Sequence, residues 1–271
     1  MRFEKWQALG NDYVIVEAAA LPFELTPERV RRICDPHFGV GSDGILLLTP
    51  VEDPAHVAEL RIFNPDGSEA ELSGNGAREA VLYLRSAGWT DADEFSVVTK
   101  AGPVRPVITG PNEVRMDIGR ARDEGTGTLN SAGREWTYRK LNVGNPQCVV
   151  PAGEEVDDLD LGEVGPEIES NTELFPERTN VSFTRVDGST VRARIFERGV
   201  GETLSSGTGA SGAAVAAFLE GAPSPITVQL DGGRLTVEIS DELDLTLVGT
   251  AEPILRGELS QELLGALRRL G

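Results

Sequence analysis

Short apolar runs, rich in β-branched residues and broken by polar ones, recur along most of the chain. The clearest are YVIVE (13–17), ELRIF (59–63), FSVVT (95–99), RPVIT (105–109), VRMDI (114–118), NVSFTRV (180–186), TVRARIF (190–196), ITVQL (226–230), LTVEI (235–239) and LDLTLVG (243–249). Their length and composition predict strands. A helical pattern interrupts them four times. TPERVRRICD (26–35) predicts a helix capped by Thr26, with Pro27 at its first position. GAREAVLYLRSAG (76–88) and GASGAAVAAFLEG (209–221) predict two longer helices. The second is almost wholly small and apolar, which predicts burial at the centre of its lobe. SQELLGALRRL (260–270) predicts a final helix able to pack on either half of the chain.

The order of these patterns repeats. RIFNPDGSEAELSGNGA begins at Arg61 and RIFERGVGETLSSGTGA at Arg194, and Ser73 and Ser206 occupy the matching position, 133 residues apart. ALGNDYVIV and NVGNPQCVV place Gly10-Asn11 and Gly144-Asn145 at nearly the same offset. AGPVRPVI, from Ala101, and GGRLTVEI, from Gly232, make a weaker third pair. Three pairs in one order indicate an internal duplication. The expected architecture is α+β: two pseudo-symmetric lobes, residues 1–125 and 126–271, each a mixed β-sheet wrapped around one central helix. ARDEGTGTLNSAGRE (121–135) reads as a turn or short crossover between them.

In both copies a Ser-Gly-x-Gly loop falls directly before the central helix. The first amides of a helix have no intrahelical partner, and the helix dipole adds partial positive charge there. Glycine permits close approach to the backbone, so such a loop suits a carboxylate or phosphate. One copy alone is an ordinary serine N-cap. Two copies at equivalent positions point to one small-molecule site faced by both loops. Asn11, Asn64, Asn75, Asn145 and Asn180 sit in or beside turns, where asparagine is also a common turn former. Glu197 and Arg198 precede the second loop, one suited to an ammonium group and the other to a carboxylate. The set reads as recognition of an amino acid.

Charge narrows the classes further. The chain of 271 residues carries a formal net charge of −19, which disfavours a nucleic-acid partner. No apolar run is long enough for a membrane helix, and the N-terminus lacks the apolar block of a signal peptide, so a cytoplasmic location is expected. Cys34, Cys148, His37 and His56 are too scattered for a disulfide framework or a metal site. No cofactor and no metal are expected, and a homodimer is compatible with the sequence.

FEKWQALGNDYVIVE, DPHFGVGSDGILL, FNPDGSEAELSGNGAR, NVGNPQCVV, FPERTNVSF and FERGVGETLSSGTGA, in this order, resemble the diaminopimelate epimerase family across nearly the whole chain. The resemblance implies two lobes of mixed sheet around central helices. It also implies inversion of LL-diaminopimelate to the meso form without pyridoxal phosphate or metal. In that family a cysteine precedes each Gly-x-Gly, one removing the α-proton and the other returning it from the opposite face. Here Ser73 and Ser206 hold those positions. Gln147 stands where the family has a histidine, and Glu79 where a further cysteine is common. Carried over residue by residue, Gly74, Asn75, Gly207 and Thr208 would hold the reacting carboxylate, and Asn11, Asn64, Asn145, Asn180, Glu197 and Arg198 the rest of the substrate. A thiol titrates near ~8.5 and an alcohol far higher, so the serines need help from neighbouring groups. Glu79 is one candidate, with an exposed helix position as the plainer reading. A relative with altered chemistry (another isomerase, a racemase or a dehydratase) and a binding protein without the reaction are the alternatives.

Overall fold

A computed structural model describes residues 1–270. The chain forms two units, one of Met1–Arg115 together with the segment from Thr250 onward, the other of Met116–Gly249. Five α-helices lie among the described residues: α1 (Pro27–Cys34), α2 (Gly74–Ser86), α3 (Leu161–Glu169), α4 (Gly207–Leu219) and α5 (Gln261–Arg268).

The sheet of the first unit has eight strands. Its order is Glu252–Glu258, Arg2–Ala8, Asn11–Glu17, Ile45–Thr49, Ala58–Phe63, Val97–Thr99 and Gly102–Val104, with Glu69–Ala70 paired beside Ala58–Phe63. Asn11–Glu17 runs parallel to Ile45–Thr49, and Ala58–Phe63 to Val97–Thr99; the other pairs are antiparallel. Parallel neighbours need a crossover, and α1 and α2 supply the two. On one face Val14, Val16, Ile45 and Leu47 pack with Val30 and Ile33 of α1 and Leu264 and Leu267 of α5. On the other, α2 crosses the central strands, and every residue from Asn75 to Leu84 is buried. Strands covered on both faces read as continuous apolar runs, and ILLL, 45–48, is one.

The second unit repeats the plan with more strands. Arg122–Ser131, Arg134–Asn142, Pro146–Pro151, Asn180–Asp187, Thr190–Glu197, Ile226–Leu230, Gly233–Ile239 and Asp244–Thr250 follow one another in its sheet, and Gly201–Thr203 pairs beside Thr190–Glu197. α4 packs on the strands from Arg134–Asn142 to Gly233–Ile239, with Gly209–Ala217 buried throughout. This burial follows from a helix with no polar face. α3 covers the opposite face, where Val164 and Ile168 meet Cys148, Val150, Phe175, Val181 and Phe183.

Two expectations change. Residues 121–135 are no crossover. Arg122–Ser131 is a strand that turns at Ala132-Gly133 and pairs with Arg134–Asn142. A Cβ at Gly127 in this strand would come 2.8 Å from the Tyr138 hydroxyl on the paired strand. The hairpin lies wholly in the second unit, and the units divide at 115/116 rather than at 125/126. The last strand returns to pair with Arg2–Ala8, which puts α5 in the first unit. α3, interrupted by Pro166, was not apparent from periodicity.

The second glycine of each loop is set by packing. A Cβ on Gly76 would lie 2.9 Å from Leu46 Cδ2, and one on Gly209 2.7 Å from Ile195 Cδ1. The first glycines have room: the nearest atom to a Cβ on Gly74 is the flexible end of Arg78, at 4.0 Å. Gly76→Ala and Gly209→Ala should each cost about 1–3 kcal/mol by overpacking, and Gly74→Ala much less. Urea unfolding measures all three, and equal losses would contradict this packing.

Candidate functional site

Each central helix begins with a serine that accepts a hydrogen bond from the amide three residues on. In the first unit Gly76 N donates to Ser73 Oγ at 3.1 Å; in the second Gly209 N donates to Ser206 Oγ at 3.3 Å. Both serines have extended backbone, the conformation an N-cap requires. The hydroxyls therefore stand at the electropositive helix starts, beside Gly74 and Asn75 in one unit and Gly207 and Thr208 in the other.

The turn asparagines reach the same loops. Gly10 and Gly144 adopt positive φ (85° and 91°) and turn the chain sharply before Asn11 and Asn145. Asn75 Nδ2 donates to Asn11 Oδ1 at 3.1 Å, and Asn145 Nδ2 donates to Thr208 Oγ1 at 3.3 Å. The duplicated sequences thus build matching contacts. The remaining candidates divide. Asn180 is buried and accepts the Arg198 amide through Oδ1 at 2.8 Å, which fixes the turn after Glu197. Arg198 is exposed and donates to the Glu177 carbonyl at 2.7 Å. Asn64 bonds within its own turn, Nδ2 to Ser68 Oγ at 2.9 Å.

Behind the serines the units differ. Ser206 Oγ donates to Glu197 Oε2 at 3.0 Å. Burial pushes the Glu197 carboxyl above its usual value, and the Ser206 hydroxyl partly offsets this. A carboxylate so placed can take the serine proton as the serine oxygen takes another, which relieves the weakness of an alcohol as a base. In the first unit Tyr13 Oη donates to Ser73 Oγ at 3.2 Å. Gln147 is fully buried and donates to Asn145 Oδ1 at 2.6 Å.

Several residues escaped sequence reasoning. Asp43 accepts from Asn11 Nδ2 at 2.9 Å and from the Asp12 amide at 3.0 Å, and so orients Asn11. Lys5 pairs with Asp12 at 3.1 Å and donates to the Gly41 carbonyl. Arg78 is fully buried and folds back to the start of its helix, donating to Gly74 O at 3.2 Å and Asn75 Oδ1 at 2.7 Å. Burial pushes its pKa down to about 10, so it stays charged near neutrality and adds to the positive field at the loop. In the second unit the buried Glu169 of α3 takes the Gly199 amide at 3.1 Å and pairs with Arg178, which braces the turn that carries Arg198. The only sequence signals for these residues were their neighbourhoods: Arg78 follows the first loop directly, and Asp43 lies in the quoted DPHFGVGSDGILL run.

Residues 3–123 and 140–255 match the model of the family described as diaminopimelate epimerase. The chain is 39% identical to diaminopimelate epimerase 2 of Nostoc sp., over 97% of each chain. Among solved structures it resembles a Bacillus anthracis phenazine biosynthesis protein of the PhzF family, with TM-score 0.72 and 19% identity over 96% of this chain and 99% of that one. It also resembles a hydroxyproline epimerase from Agrobacterium vitis, with TM-score 0.66 and 15% identity over 96% and 90%. These two likenesses establish the shared two-lobed α+β fold.

Glu79 is no exposed helix residue. It is fully buried on α2, and among the described residues neither carboxyl oxygen makes a hydrogen bond of good geometry. Burial raises its pKa well above normal; the Arg78 charge and, more weakly, the nearby Tyr13 amide oppose this, and Asp12 and Asp43 reinforce it. The folded state therefore holds the proton more tightly than the unfolded chain. Glu79 weakens the fold as pH rises from the unfolded value of ~4.3 towards its folded pKa. Glu79→Gln removes that dependence. The melting temperature of the variant relative to the parent should climb from pH 5 to pH 8, and a difference independent of pH would refute a neutral Glu79.

Proposed function

Because the chain belongs to the diaminopimelate epimerase family, we propose that it inverts the α-carbon of LL-diaminopimelate to give the meso form. The reaction is an isomerisation in lysine biosynthesis, and we place it in the cytoplasm. Full-length identity to a curated epimerase supports the substrate. The observation that carries the chemistry is the Ser206 Oγ to Glu197 Oε2 hydrogen bond. Inversion needs a proton taken from one face of the carbon and another returned to the opposite face. Ser206, with Glu197 behind it, is the acceptor we assign, and Ser73 the donor. Glu197 thereby acts on the serine rather than on a substrate ammonium group.

The carboxylate next to the reacting carbon is assigned to the helix starts, at Gly74, Asn75, Gly207 and Thr208. Fixed amides and the Arg78 charge stabilise the negative charge that grows on that carboxylate as the proton leaves. Asn11, Asn64, Asn145, Asn180 and Arg198 are assigned to the rest of the substrate. Of these, Asn11 and Asn145 are the ones tied directly to loop residues.

Incubation with LL- and meso-diaminopimelate in D₂O tests this reading. The parent should invert both and incorporate deuterium at the α-carbon. Ser206→Ala and Glu197→Gln should each lose about 10²–10⁴ of the inversion rate. Glu197 must be ionised to accept the serine proton. Activity should therefore fall with acidification through a pKa above the usual carboxylate value, and Glu197→Gln should abolish that limb. Tight binding with neither exchange nor inversion would make the protein a binder and sink the proposal.

A further inference from the structure

The two loop hydroxyls are wired with opposite polarity. Ser206 Oγ accepts from Gly209 N and donates its own hydrogen to Glu197, which leaves a lone pair for an incoming proton. Ser73 Oγ accepts twice, from Gly76 N at 3.1 Å and from Tyr13 Oη at 3.2 Å. Both its lone pairs are taken, and its own hydrogen remains to be given. The direction of the Tyr13 bond follows from acidity. A phenol titrates near ~10 and an aliphatic alcohol far higher, so the phenol donates.

The fold holds Tyr13 in place for this contact. It lies on the strand Asn11–Glu17, registered opposite Trp6, and is 6% exposed. Gly44 makes room for its ring: a Cβ there would come 2.7 Å from Tyr13 Cε1. The matching position of the second copy, two residues after the turn asparagine, is Gln147, which has no hydroxyl. The Tyr13–Ser73 pair is thus specific to the first unit.

We propose that Tyr13 is the proton reservoir of Ser73, so that inversion runs from an acceptor pair, Glu197–Ser206, to a donor pair, Tyr13–Ser73. This rests on the isomerase reading above. On the acceptor side the Cα–H bond breaks and its electron pair stays on the carbon, delocalised into the carboxylate. The proton goes to Ser206 Oγ as the serine proton passes to Glu197. On the donor side the Ser73 O–H bond breaks as that carbon pair forms the new C–H bond, and the Tyr13 proton moves to Ser73 Oγ. The negative charge ends on the Tyr13 phenolate instead of on a serine alkoxide. Water then returns a proton to Tyr13 and removes one from Glu197. In the reverse reaction the phenolate takes the Ser73 proton as Ser73 takes the α-proton. Tyr13 acts through Ser73 and is a positioning residue for proton transfer.

A double-mutant cycle separates this role from packing. A thiol at position 73 carries a labile proton of its own near neutral pH and needs no phenol behind it. The four proteins are the parent, Tyr13→Phe, Ser73→Cys and the double variant, assayed for inversion of both epimers and for deuterium exchange with retention. With serine at 73, Tyr13→Phe should slow inversion by about 100-fold or more. Exchange with retention should survive from the one epimer served by Ser206 and Glu197. With cysteine at 73, the same change should cost less than about threefold. Equal losses in both backgrounds, as misfolding or poorer packing would give, overturn the proposal, and so does no loss with serine. A parent that inverts neither epimer sinks the isomerase reading itself. A parent that inverts while Tyr13→Phe matches it sinks only the role of Tyr13.

Discussion

One serine oxygen in each unit does two things at once. It caps the central helix, and in the proposed reaction it hands over a proton. The cap comes first energetically: losing it costs about 1 kcal/mol, and the bond to the third amide fixes the side-chain direction. That amide belongs to Gly76 or Gly209, the residue that must also lack a Cβ to let the helix lie on its sheet. Helix start, helix–sheet distance and hydroxyl position are therefore one constraint. What remains free on the oxygen after capping limits its chemistry, and the neighbour behind it is a phenol in one unit and a carboxylate in the other, the difference on which the proposed direction of proton transfer rests.

This explains why the loops were legible in the sequence and their partners were not. Ser-Gly-x-Gly before a helix is a local signal, and its recurrence at a fixed offset revealed the duplication. The turn asparagines before strands repeated in the same way, and both Asn11 and Asn145 reach the loops. Tyr13 and Glu79 carry no such local mark. A tyrosine in an apolar strand reads as core, and its hydroxyl gains meaning only when sheet register brings it to Ser73. Glu79 follows an arginine on a helix with charged residues near its start, which favours an exposed reading. Only the crossing of α2 over the sheet buries it. The hairpin of residues 122–142 was hidden for a different reason: glycines and acidic residues, which usually mark turns, here lie within a long two-stranded ribbon.

The copies have diverged in their interiors more than in their loops. Asn75 corresponds to Thr208, Tyr13 to Gln147 and Glu79 to Gly212. A Cβ at Gly212 would sit 3.2 Å from the Gln147 side chain, so the second unit has filled from the strand side the space the first fills from the helix side. Neither helix could replace the other without a clash or a void. The duplicated half is thus a scaffold held in common, with separate packing solutions beneath it.

The buried Arg78 gives the first helix start a charge that salt reaches poorly. Within the Debye length, about 8 Å at physiological ionic strength, the acidic surface of a chain with net charge −19 repels an approaching carboxylate. That repulsion belongs to surface groups and fades as salt rises. The guanidinium, held among Gly74, Asn75 and the first turn of α2 away from solvent, keeps its local field. Concentrated salt should thus weaken the surface repulsion of an anion while leaving the field at the first helix start almost unchanged. A strongly acidic exterior and a positive helix start can coexist because one is screened and the other is not.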